Sequence, residues 1–340
     1  MAPNAPYIIT SAVTVGVFSA VTYYAYRLYQ KSRRSRIPDD KEWKQVGTLK
    51  DICIYPVKSC GSIVVEQAEC SILGLRNGWL RDRVLMVIDN ENNGITARSH
   101  PSLLLIQTMV RNCILTLEHQ DTEPLHINLA EVIAYKKQLT ATVWDTRVSV
   151  YDCGSEASEW ITKVLGRKAP DIYRIVYYAS ENARSFGTRK KNMGIFTVQS
   201  NDTGALPDEV SYHLINEASV DDLNTRLKDC KVSVKNFRPN FLLSGGKPYD
   251  EDNWKFVKVG DNVFEVIKPC MRCILVTLDP ETGERNTKSE PLTTLKTYRL
   301  VEPKFRKELG NSPCMGLQMA LRSAPGGVVT LNDPVYVAYK

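Results

Sequence analysis

The pattern of apolar and polar residues after Val46 predicts many short β-strands separated by turns. Residues 49–55 alternate between apolar and polar side chains until Pro56 ends the pattern, as in a half-buried strand. Residues 84–89 and 95–98 flank a loop that contains Gly94, and this spacing predicts a hairpin. The same reasoning predicts further extended segments at 103–110, 114–117, 142–150, 168–178, 240–244, 263–267, 274–278 and 335–339.

Two segments have a helical period instead. In residues 155–165 the apolar side chains recur on one helical face, and Gly166 follows as a stop signal. A second helix is predicted to begin at Ser219, because a serine followed by acidic residues is typical of a helix N-terminus. Residues 183–206 are predicted to form a polar loop between two halves. A few helices among many strands, without regular alternation, indicate an α+β fold that is predominantly β with a barrel-like core.

The first 26 residues contain no charged side chain. Residues 7–26 have about the length of one membrane-spanning helix, and Tyr23, Tyr24 and Tyr26 gather at the end where aromatic rings favour the headgroup layer. Basic residues follow this segment, whereas a cleaved secretory signal carries them before its apolar run. We therefore expect residues 1–26 to contain an uncleaved signal-anchor helix, residues 27–45 to be a basic tether, and the remaining chain to face the cytosol.

Net charge is concentrated beside that segment. The 340-residue chain has a formal net charge of +6, and residues 27–44 hold seven basic and three acidic residues. The remainder is nearly neutral and lacks a basic stripe interleaved with aromatic residues, so no nucleic-acid partner is predicted. Ordinary composition, with 43% hydrophobic and 24% charged residues, excludes a disordered chain and a polytopic membrane protein. Nine cysteines without a repeating frame indicate a reducing compartment.

Several common catalytic motifs are absent from the sequence. It has no glycine-rich dinucleotide or phosphate loop and no His-Glu-x-x-His pair, which argues against a resident nicotinamide, flavin or nucleotide site and against a zincin. Cys270 and Cys273 form a lone Cys-x-x-Cys, without the second pair that a structural zinc site needs. On spacing alone, a thiol-redox site and two packing cysteines remain equally open.

Four motifs place a cation or an amide donor at the end of a predicted strand. They are Tyr-Pro-Val-Lys-Ser at 55–59, Leu-Arg-Asp-Arg at 80–83, Asn-Phe-Arg-Pro-Asn at 236–240 and Lys-Pro-Cys-Met-Arg-Cys at 268–273. Arginine forks and amides are the usual means of holding phosphate groups and polar heterocycles, so the four together predict a cradle for a large anion. Arg272 beside Cys273 is expected to favour a thiolate, the form that binds a soft transition metal.

Together these motifs resemble the MOSC superfamily, and within it the amidoxime-reducing proteins of mitochondria. The similarity extends from about residue 46 to the C-terminus. It includes Gly-Leu-Arg at 74–76, Thr-Ala-Arg at 96–98, Asn-Glu-Ala-Ser at 216–219, Asp-Pro-Glu-Thr-Gly at 279–283 and Asp-Pro-Val at 333–335. The resemblance implies an N-terminal MOSC-N domain at residues 46–180 and a MOSC domain with a β-barrel core at residues 181–340.

The resemblance also implies a molybdenum cofactor, Mo-molybdopterin, whose metal takes one protein thiolate. By motif position that thiolate belongs to Cys273. The implied cofactor contacts are Lys58, Ser59, Arg83, Asp208, Arg238, Asn240, Arg272 and Cys273. Cys270 is expected to be a packing thiol. Met271 and Gln318 depart from the family's pattern and leave the pocket wall around them open.

The implied activity is that of an oxidoreductase. It reduces N-hydroxylated compounds such as amidoximes, hydroxylamines and hydroxamic acids by two-electron cleavage of the N–O bond. Since the chain lacks flavin and haem motifs, electrons are expected from cytochrome b5 and its NADH-dependent reductase. The expected location is the mitochondrial outer membrane, with a single span and a cytosolic catalytic domain, although the residues alone leave the endoplasmic reticulum open.

Two alternatives remain at this point. The first is a membrane-tethered molybdopterin carrier or sulfur-transfer accessory without reductase activity. A pyridoxal-phosphate desulfurase domain does not fit in the available residues, which argues against self-sufficient sulfur transfer. The second is a zinc or thiol-redox protein that uses Cys270 and Cys273.

Overall fold

The computed structural model describes residues 22–23, 36–168, 170–184, 196 and 198–340. Among these residues no helix combines the length and apolar character needed to cross a membrane. The predicted signal-anchor helix belongs to residues 1–26, which lie outside the described residues except for Thr22 and Tyr23. The chain divides into two compact units, residues 1–42 and residues 43–340. In the first, Arg36 pairs with Asp39 at 3.0 Å.

Strands make up most of the regular structure in this second unit. Those in the described part of the chain are β1 (Lys44–Ile54), β2 (Ile63–Val65), β3 (Gln67–Ser71), β4 (Gly74–Asn77), β5 (Leu80–Arg81), β6 (Leu85–Ile88), β7 (Gln107–Arg111), β8 (Ile114–His119), β9 (Thr122–Asn128), β10 (Gln138–Val143), β11 (Thr146–Asp152), β12 (Arg174–Tyr178), β13 (Tyr212–Asn216), β14 (Phe241–Ser244), β15 (Trp254–Val259), β16 (Asn262–Met271), β17 (Cys314–Leu321), β18 (Val328–Thr330) and β19 (Pro334–Tyr339).

The helices are short. The α-helices described are α1 (Leu129–Tyr135), α2 (Ser155–Val164), α3 (Glu217–Arg226), α4 (Leu292–Tyr298) and α5 (Arg306–Leu309), with 3-10 helices that include Pro101–Leu105 and Ile274–Thr277. This content confirms a predominantly β architecture.

Seven strands close into a barrel in the order β14–β13–β17–β16–β15–β19–β1, and β1 pairs back with β14. Only β13 and β14 run parallel; the other pairs in this ring are antiparallel. The interior holds fully buried rings, among which Tyr212 and Phe264 lie 4.9 Å apart between centroids. A closed ring leaves no free strand edge, and it makes β1, the first strand, a structural partner of the last strand, β19.

Eleven further strands among the described residues form three smaller sheets. They have the strand orders β10–β11–β12–β6, β18–β3–β4–β5 and β7–β8–β9. Helix α2 packs against β12 and β9, because its apolar face contains the buried Ala157 and Ile161. The sheets β10–β11–β12–β6 and β7–β8–β9 share an apolar core with α2, in which Met86, Ile88 and Val176 are fully buried. The sheet β18–β3–β4–β5 instead contributes to the apolar core of the barrel.

Several local predictions are confirmed. The strand predicted at 49–55 corresponds to the second half of β1, which ends at Ile54. The helix predicted at 155–165 is α2, and the segment at 335–339 belongs to β19. The barrel-like β core is also present.

Other local predictions are wrong, and nonlocal contacts explain why. Strand β6 takes β12 as its strand partner, and residues 95–98 form no strand. The hairpin predicted at 84–98 is present only as an antiparallel bridge between Ile88 and Gly94, beside which the Ile95 amide donates to the carbonyl oxygen of Val87 at 2.9 Å. Residues 274–278 contain a 3-10 helix, and residues 142–150 cross a turn between β10 and β11. Helix α3 begins at Glu217, because the Asn216 side chain caps it by accepting from the amide of Ala218.

Candidate functional site

The predicted cofactor contacts converge on one cavity of about 650 Å³. Lys58 and Ser59 come from the segment after β1, Arg83 from the turn after β5, and Asp208 from the loop before β13. Arg238 and Asn240 precede β14, whereas Arg272 and Cys273 follow β16. All eight side chains line the cavity: Lys58, Ser59, Arg83, Asp208, Arg238, Asn240, Arg272 and Cys273.

The backbone is unusual at several of these positions. Ser59, Arg83 and Arg238 have φ angles of 74°, 48° and 55°, in the left-handed region that residues other than glycine rarely adopt. The surroundings hold these angles through bonds such as that from the Arg83 amide to the carbonyl of Tyr55, at 2.6 Å. Backbone strain of this kind clusters at functional sites, because it persists only where the structure strongly constrains it.

Two arginines form the inner cationic wall. The guanidinium carbons of Arg83 and Arg238 each lie 4.4 Å from the centroid of the Tyr55 ring. Arg83 is neutralised by buried Asp82 at 2.5 Å, whereas Arg238 donates to the carbonyl oxygen of Cys60 at 2.7 Å. Burial, together with the charge of Arg83, lowers the pKa of Arg238. An anion in the cavity would therefore stabilise the charged form of Arg238.

Asp208 joins three donors at the cavity wall. Its carboxylate accepts from Lys58, from Arg98 at 2.7 Å and from the indole nitrogen of Trp144 at 2.9 Å. Burial lowers the pKa of Lys58 to about 8, against the opposing effect of Asp208. Burial alone would raise the pKa of Asp208, but the charges of Lys58 and Arg98 outweigh it and hold that pKa well below its ordinary value.

Arg98, and not Arg272, contacts the thiol of Cys273. The Arg98 Nε atom donates to Cys273 Sγ at 3.1 Å. Arg272 points away from that sulfur and is buried, donating from Nε to the carbonyl oxygen of Met315 at 2.9 Å. The cation in contact with the Cys273 sulfur is therefore Arg98 and not the predicted Arg272, whose guanidinium bonds to the carbonyl oxygen of Met315 and to His213.

Arg272 instead fixes a buried histidine. Its Nη2 donates to Nε2 of His213 at 2.6 Å, and Nδ1 of His213 lies 3.4 Å from the carbonyl oxygen of Arg238. Burial, and then the charge of Arg272, lowers the pKa of His213 well below its ordinary value. His213 is therefore neutral, with its proton on Nδ1, and it connects the Arg272 and Arg238 segments.

Comparison with known proteins matches two family models to the chain. The MOSC N-terminal beta barrel domain matches residues 46–168, and the MOSC domain matches residues 201–336. The chain is 37% identical to human mitochondrial amidoxime-reducing component 1 over 318 residues, which cover 92% of this chain and 88% of that protein. It is 37% identical over 309 residues to component 2 of Rattus norvegicus, covering 89% and 87% respectively. The chain belongs to the MOSC family of amidoxime-reducing components.

Arg98, Trp144 and His213 line the cavity of this MOSC protein but are absent from the predicted contacts. Arg98 ends the Thr-Ala-Arg motif of the family resemblance, so a signal for it existed in the sequence. Its partner Cys273 is 175 positions away, and no periodicity connects residues at that separation. Trp144 gave no signal beyond its place in a predicted strand.

Cys270 has different surroundings from Cys273 in the MOSC domain. Cys270 is buried, and burial raises the pKa of its thiol. The Gln318 amide lies 3.2 Å from Cys270 Sγ, and its Oε1 atom is buried without a hydrogen-bond partner among the described residues. Met271 and Gln318, the two positions expected from the sequence to depart from the family's pattern, both line the cavity.

The donor set of the cavity fits the molybdenum cofactor that the MOSC family implies. Cationic side chains at the wall fit a phosphate group, and the orphaned Gln318 Oε1 fits an N–H group of a pterin ring. The partly exposed sulfur of Cys273 is a soft ligand of the kind that molybdenum accepts. The described residues contain no cluster of three or more His, Cys, Asp or Glu side chains that could hold a metal by themselves.

Proposed function

We propose that this chain is an oxidoreductase that depends on the molybdenum cofactor and reduces N-hydroxylated compounds. The observation that carries the proposal is the Cys273 thiol in the cavity, with Arg98 donating to its sulfur at 3.1 Å and a cationic wall around it. The names of the relatives, amidoxime-reducing components, support the same chemistry.

The cofactor contacts follow from the cavity wall. Cys273 is the proposed metal ligand, Lys58, Arg83, Arg238 and Arg272 provide positive charge, and Ser59, Asn240 and Asp208 provide polar contacts. When bound, the cofactor supplies two-electron chemistry at molybdenum, which suits cleavage of an N–O bond.

The protein's own residues hold charge and protons in place. Reduction of an amidoxime to an amidine and water consumes two electrons and two protons, so a protonated group near the reacting atoms is useful. Lys58 holds a proton on Nζ beside Asp208, and its pKa of about 8 makes that proton available near neutral pH. Arg98 donates to both Cys273 and Asp208, which holds the sulfur and the Asp208 carboxylate at a fixed separation.

For electron supply we propose cytochrome b5 and its NADH-dependent reductase. The sequence contains no flavin, nicotinamide or haem motif, so electrons must arrive from another protein. An electron-transfer partner needs access to the cavity, and Cys273 is only partly buried.

We further propose that the chain resides in the mitochondrial outer membrane, anchored once through residues 1–26, with the catalytic domain in the cytosol. The relatives are named mitochondrial, and an uncharged segment followed by basic residues supports this orientation. Carbonate extraction and protease treatment of intact mitochondria test it. Release by carbonate, or protection of the domain from protease, would contradict this topology.

Metal analysis and a reconstituted assay test the activity. We expect molybdenum in stoichiometric amount in the purified chain, and NADH-dependent conversion of benzamidoxime to benzamidine that requires both cytochrome b5 and its reductase. Molybdenum without turnover would favour the carrier or sulfur-transfer alternative. Zinc, or no metal after expression in cells that make the cofactor, would favour a zinc or thiol-redox protein.

A further inference from the structure

Trp144 is an exposed aromatic residue at the cavity wall. Strands β10 and β11 pair up to Val143 and Thr146, so Trp144 and Asp145 form the two-residue turn of this hairpin. Both residues line the cavity, and 46% of the Trp144 surface is exposed. A large aromatic side chain that remains exposed at a cavity loses the stabilisation that burial would bring, so its position calls for an explanation.

The turn holds Trp144 in one orientation. Its φ angle is 57°, in the left-handed region that asparagine and glycine adopt readily in such turns and that bulky residues rarely adopt. The indole Nε1 atom donates to Asp208 at 2.9 Å, which fixes the ring by its polar edge. A strained backbone and a satisfied indole N–H together fix the position of the ring beside the cavity.

The same ring lies close to the end of the cavity that contains Cys273. The guanidinium carbon of Arg98 is 5.0 Å from the ring centroid, and Nε of Arg98 donates to Cys273. Trp144 is thus separated from the sulfur by a single side chain. Apolar groups from Met271 and Leu275 also line this cavity, whereas the inner wall near Arg238 is cationic.

We infer that Trp144 determines substrate preference by stacking on the planar, conjugated part of an N-hydroxylated substrate. This inference rests on the proposed reductase activity and adds the substrate class, aryl amidoximes, that the site favours. An aryl ring conjugated with an amidoxime is flat and presents a π-face to the indole, while an alkyl amidoxime offers only a small planar group. A stacked aromatic pair increases binding affinity roughly threefold to tenfold beyond the effect of the apolar area that it buries.

The decisive comparison uses two variants, Trp144→Phe and Trp144→Leu, in the molybdenum-loaded enzyme. Both lose the indole bond to Asp208, but only Trp144→Leu loses the aromatic face. We expect Trp144→Leu to raise KM for benzamidoxime about threefold to tenfold over Trp144→Phe, with kcat similar in both variants. KM for acetamidoxime should differ less than about twofold between them.

Three results separate the possible outcomes. Equal KM values for benzamidoxime in the two variants would overturn the inference and leave Trp144 as a support for Asp208. A parallel rise for both substrates in Trp144→Leu would overturn it as well, because it would show a general disturbance of the site. If the wild-type enzyme reduces neither amidoxime, the proposed function itself fails, and the substrate preference falls with it.

A remote tryptophan provides the control. Trp79 lies between β4 and β5, is 40% exposed and does not line the cavity. Trp79→Leu should leave both KM values unchanged. Binding gives a second readout that does not depend on turnover. Benzamidoxime should quench the tryptophan fluorescence of the loaded wild type, and the quenching should be smaller in Trp144→Phe, which lacks the indole at the site. Equal quenching in the wild type and in Trp144→Phe would contradict the inference.

Discussion

Two thiols, Cys270 and Cys273, line the same cavity but have different surroundings. Burial raises the pKa of Cys270, so its sulfur keeps its proton. Cys273 is partly exposed and accepts a hydrogen bond from Arg98. Exposure and hydrogen bonding therefore distinguish the proposed ligand from a packing residue more clearly than the Cys-x-x-Cys spacing does.

Substitution of each cysteine tests this distinction. We expect Cys273→Ala to abolish turnover and to lower the molybdenum content, because no other thiol in the cavity has a cationic donor at its sulfur. Cys270→Ala should retain metal and most turnover, since it removes only a buried packing group. Metal analysis and kcat measure both effects. Equal loss in the two variants, with both folded by circular dichroism, would contradict a single-thiolate site.

His213 makes the stability of the protein depend on pH. Its folded-state pKa lies well below the ordinary value of 6.5 because of burial and the charge of Arg272. As pH falls through 6.5, the unfolded chain takes up a proton at this residue and the folded chain does not. The stability that the neutral histidine contributes is therefore complete above that pH and is lost progressively below it.

A variant without a titrating group isolates this effect. We expect the free energy of unfolding of the wild type to fall between pH 7 and pH 5 more steeply than that of His213→Gln, by up to about 1.4 kcal/mol per pH unit. Urea denaturation at several pH values measures the two slopes. His100 also has a lowered pKa, but it is present in both proteins and cancels in the difference. Identical slopes would show that His213 does not titrate in this way.

At the scale of single elements, β17 shows how a strand irregularity builds the site. The register between β16 and β17 shifts between Pro269 and Met271, and the extra residue belongs to β17. Gly316 has a φ of 75° at this bulge. The carbonyl oxygen of the preceding Met315 accepts from Nε of Arg272 at 2.9 Å. A bulge thus redirects one backbone oxygen to fix the arginine that contacts His213.

Gly316 has no room for a side chain. A Cβ atom there would lie 2.5 Å from the Leu214 carbonyl oxygen and 2.5 Å from Cδ1 of Ile215. Gly316→Ala should therefore lower the free energy of unfolding by about 3 kcal/mol or more, from backbone strain and overpacking together. Gly166 is the matched control, because its φ is 64° and nothing lies within 4 Å of its Cβ position. Gly166→Ala should cost only about 1–2 kcal/mol. Equal costs would show that the crowding at Gly316 relaxes.

Local patterns predicted those elements whose structure depends on local sequence. Helix α2 has a clear apolar period and a following glycine, and β1 alternates until a proline. The hairpin predicted at 84–98 is reduced to a bridge between Ile88 and Gly94, because β6 takes its strand partner, β12, from about 90 residues further along the chain. The sequence motifs and the family resemblance together predicted eight residues that line the cavity. The bond between Arg98 and Cys273 was not predicted, because it joins residues 175 positions apart and no local pattern connects them.

At the scale of the whole molecule, the barrel depends on its first strand. Residues 43–340 form one compact unit, and within it β1 pairs with both β14 and β19. Ile52 faces Phe241 on one side, while Gln45 faces Tyr336 on the other. Removal of β1 would expose two strand edges and the aromatic core between them.

Two truncations test this dependence. We expect the fragment 43–340 to unfold in one cooperative transition with the same midpoint as the full chain, because every barrel strand is retained. The fragment 56–340 lacks β1 and should show no cooperative transition and bind a dye that reports exposed apolar surface. Thermal melts monitored by circular dichroism distinguish them. Cooperative unfolding of the shorter fragment would show that the barrel closes without β1.

The pairing of the first barrel strand with the last one also determines when the barrel can close during synthesis. Strand β1 leaves the ribosome first, but β19 follows it by about 280 residues. At about 5–20 residues per second, β1 waits roughly 15 to 55 s for its final neighbour. During that interval a chaperone, or the sheets that are synthesised before β19, must cover the apolar face and the unpaired backbone groups of β1. The lining of the cavity extends from Lys58 to Gln318, so the cavity is complete only when nearly the whole chain has been synthesised, and a cofactor bound there would enter after that point.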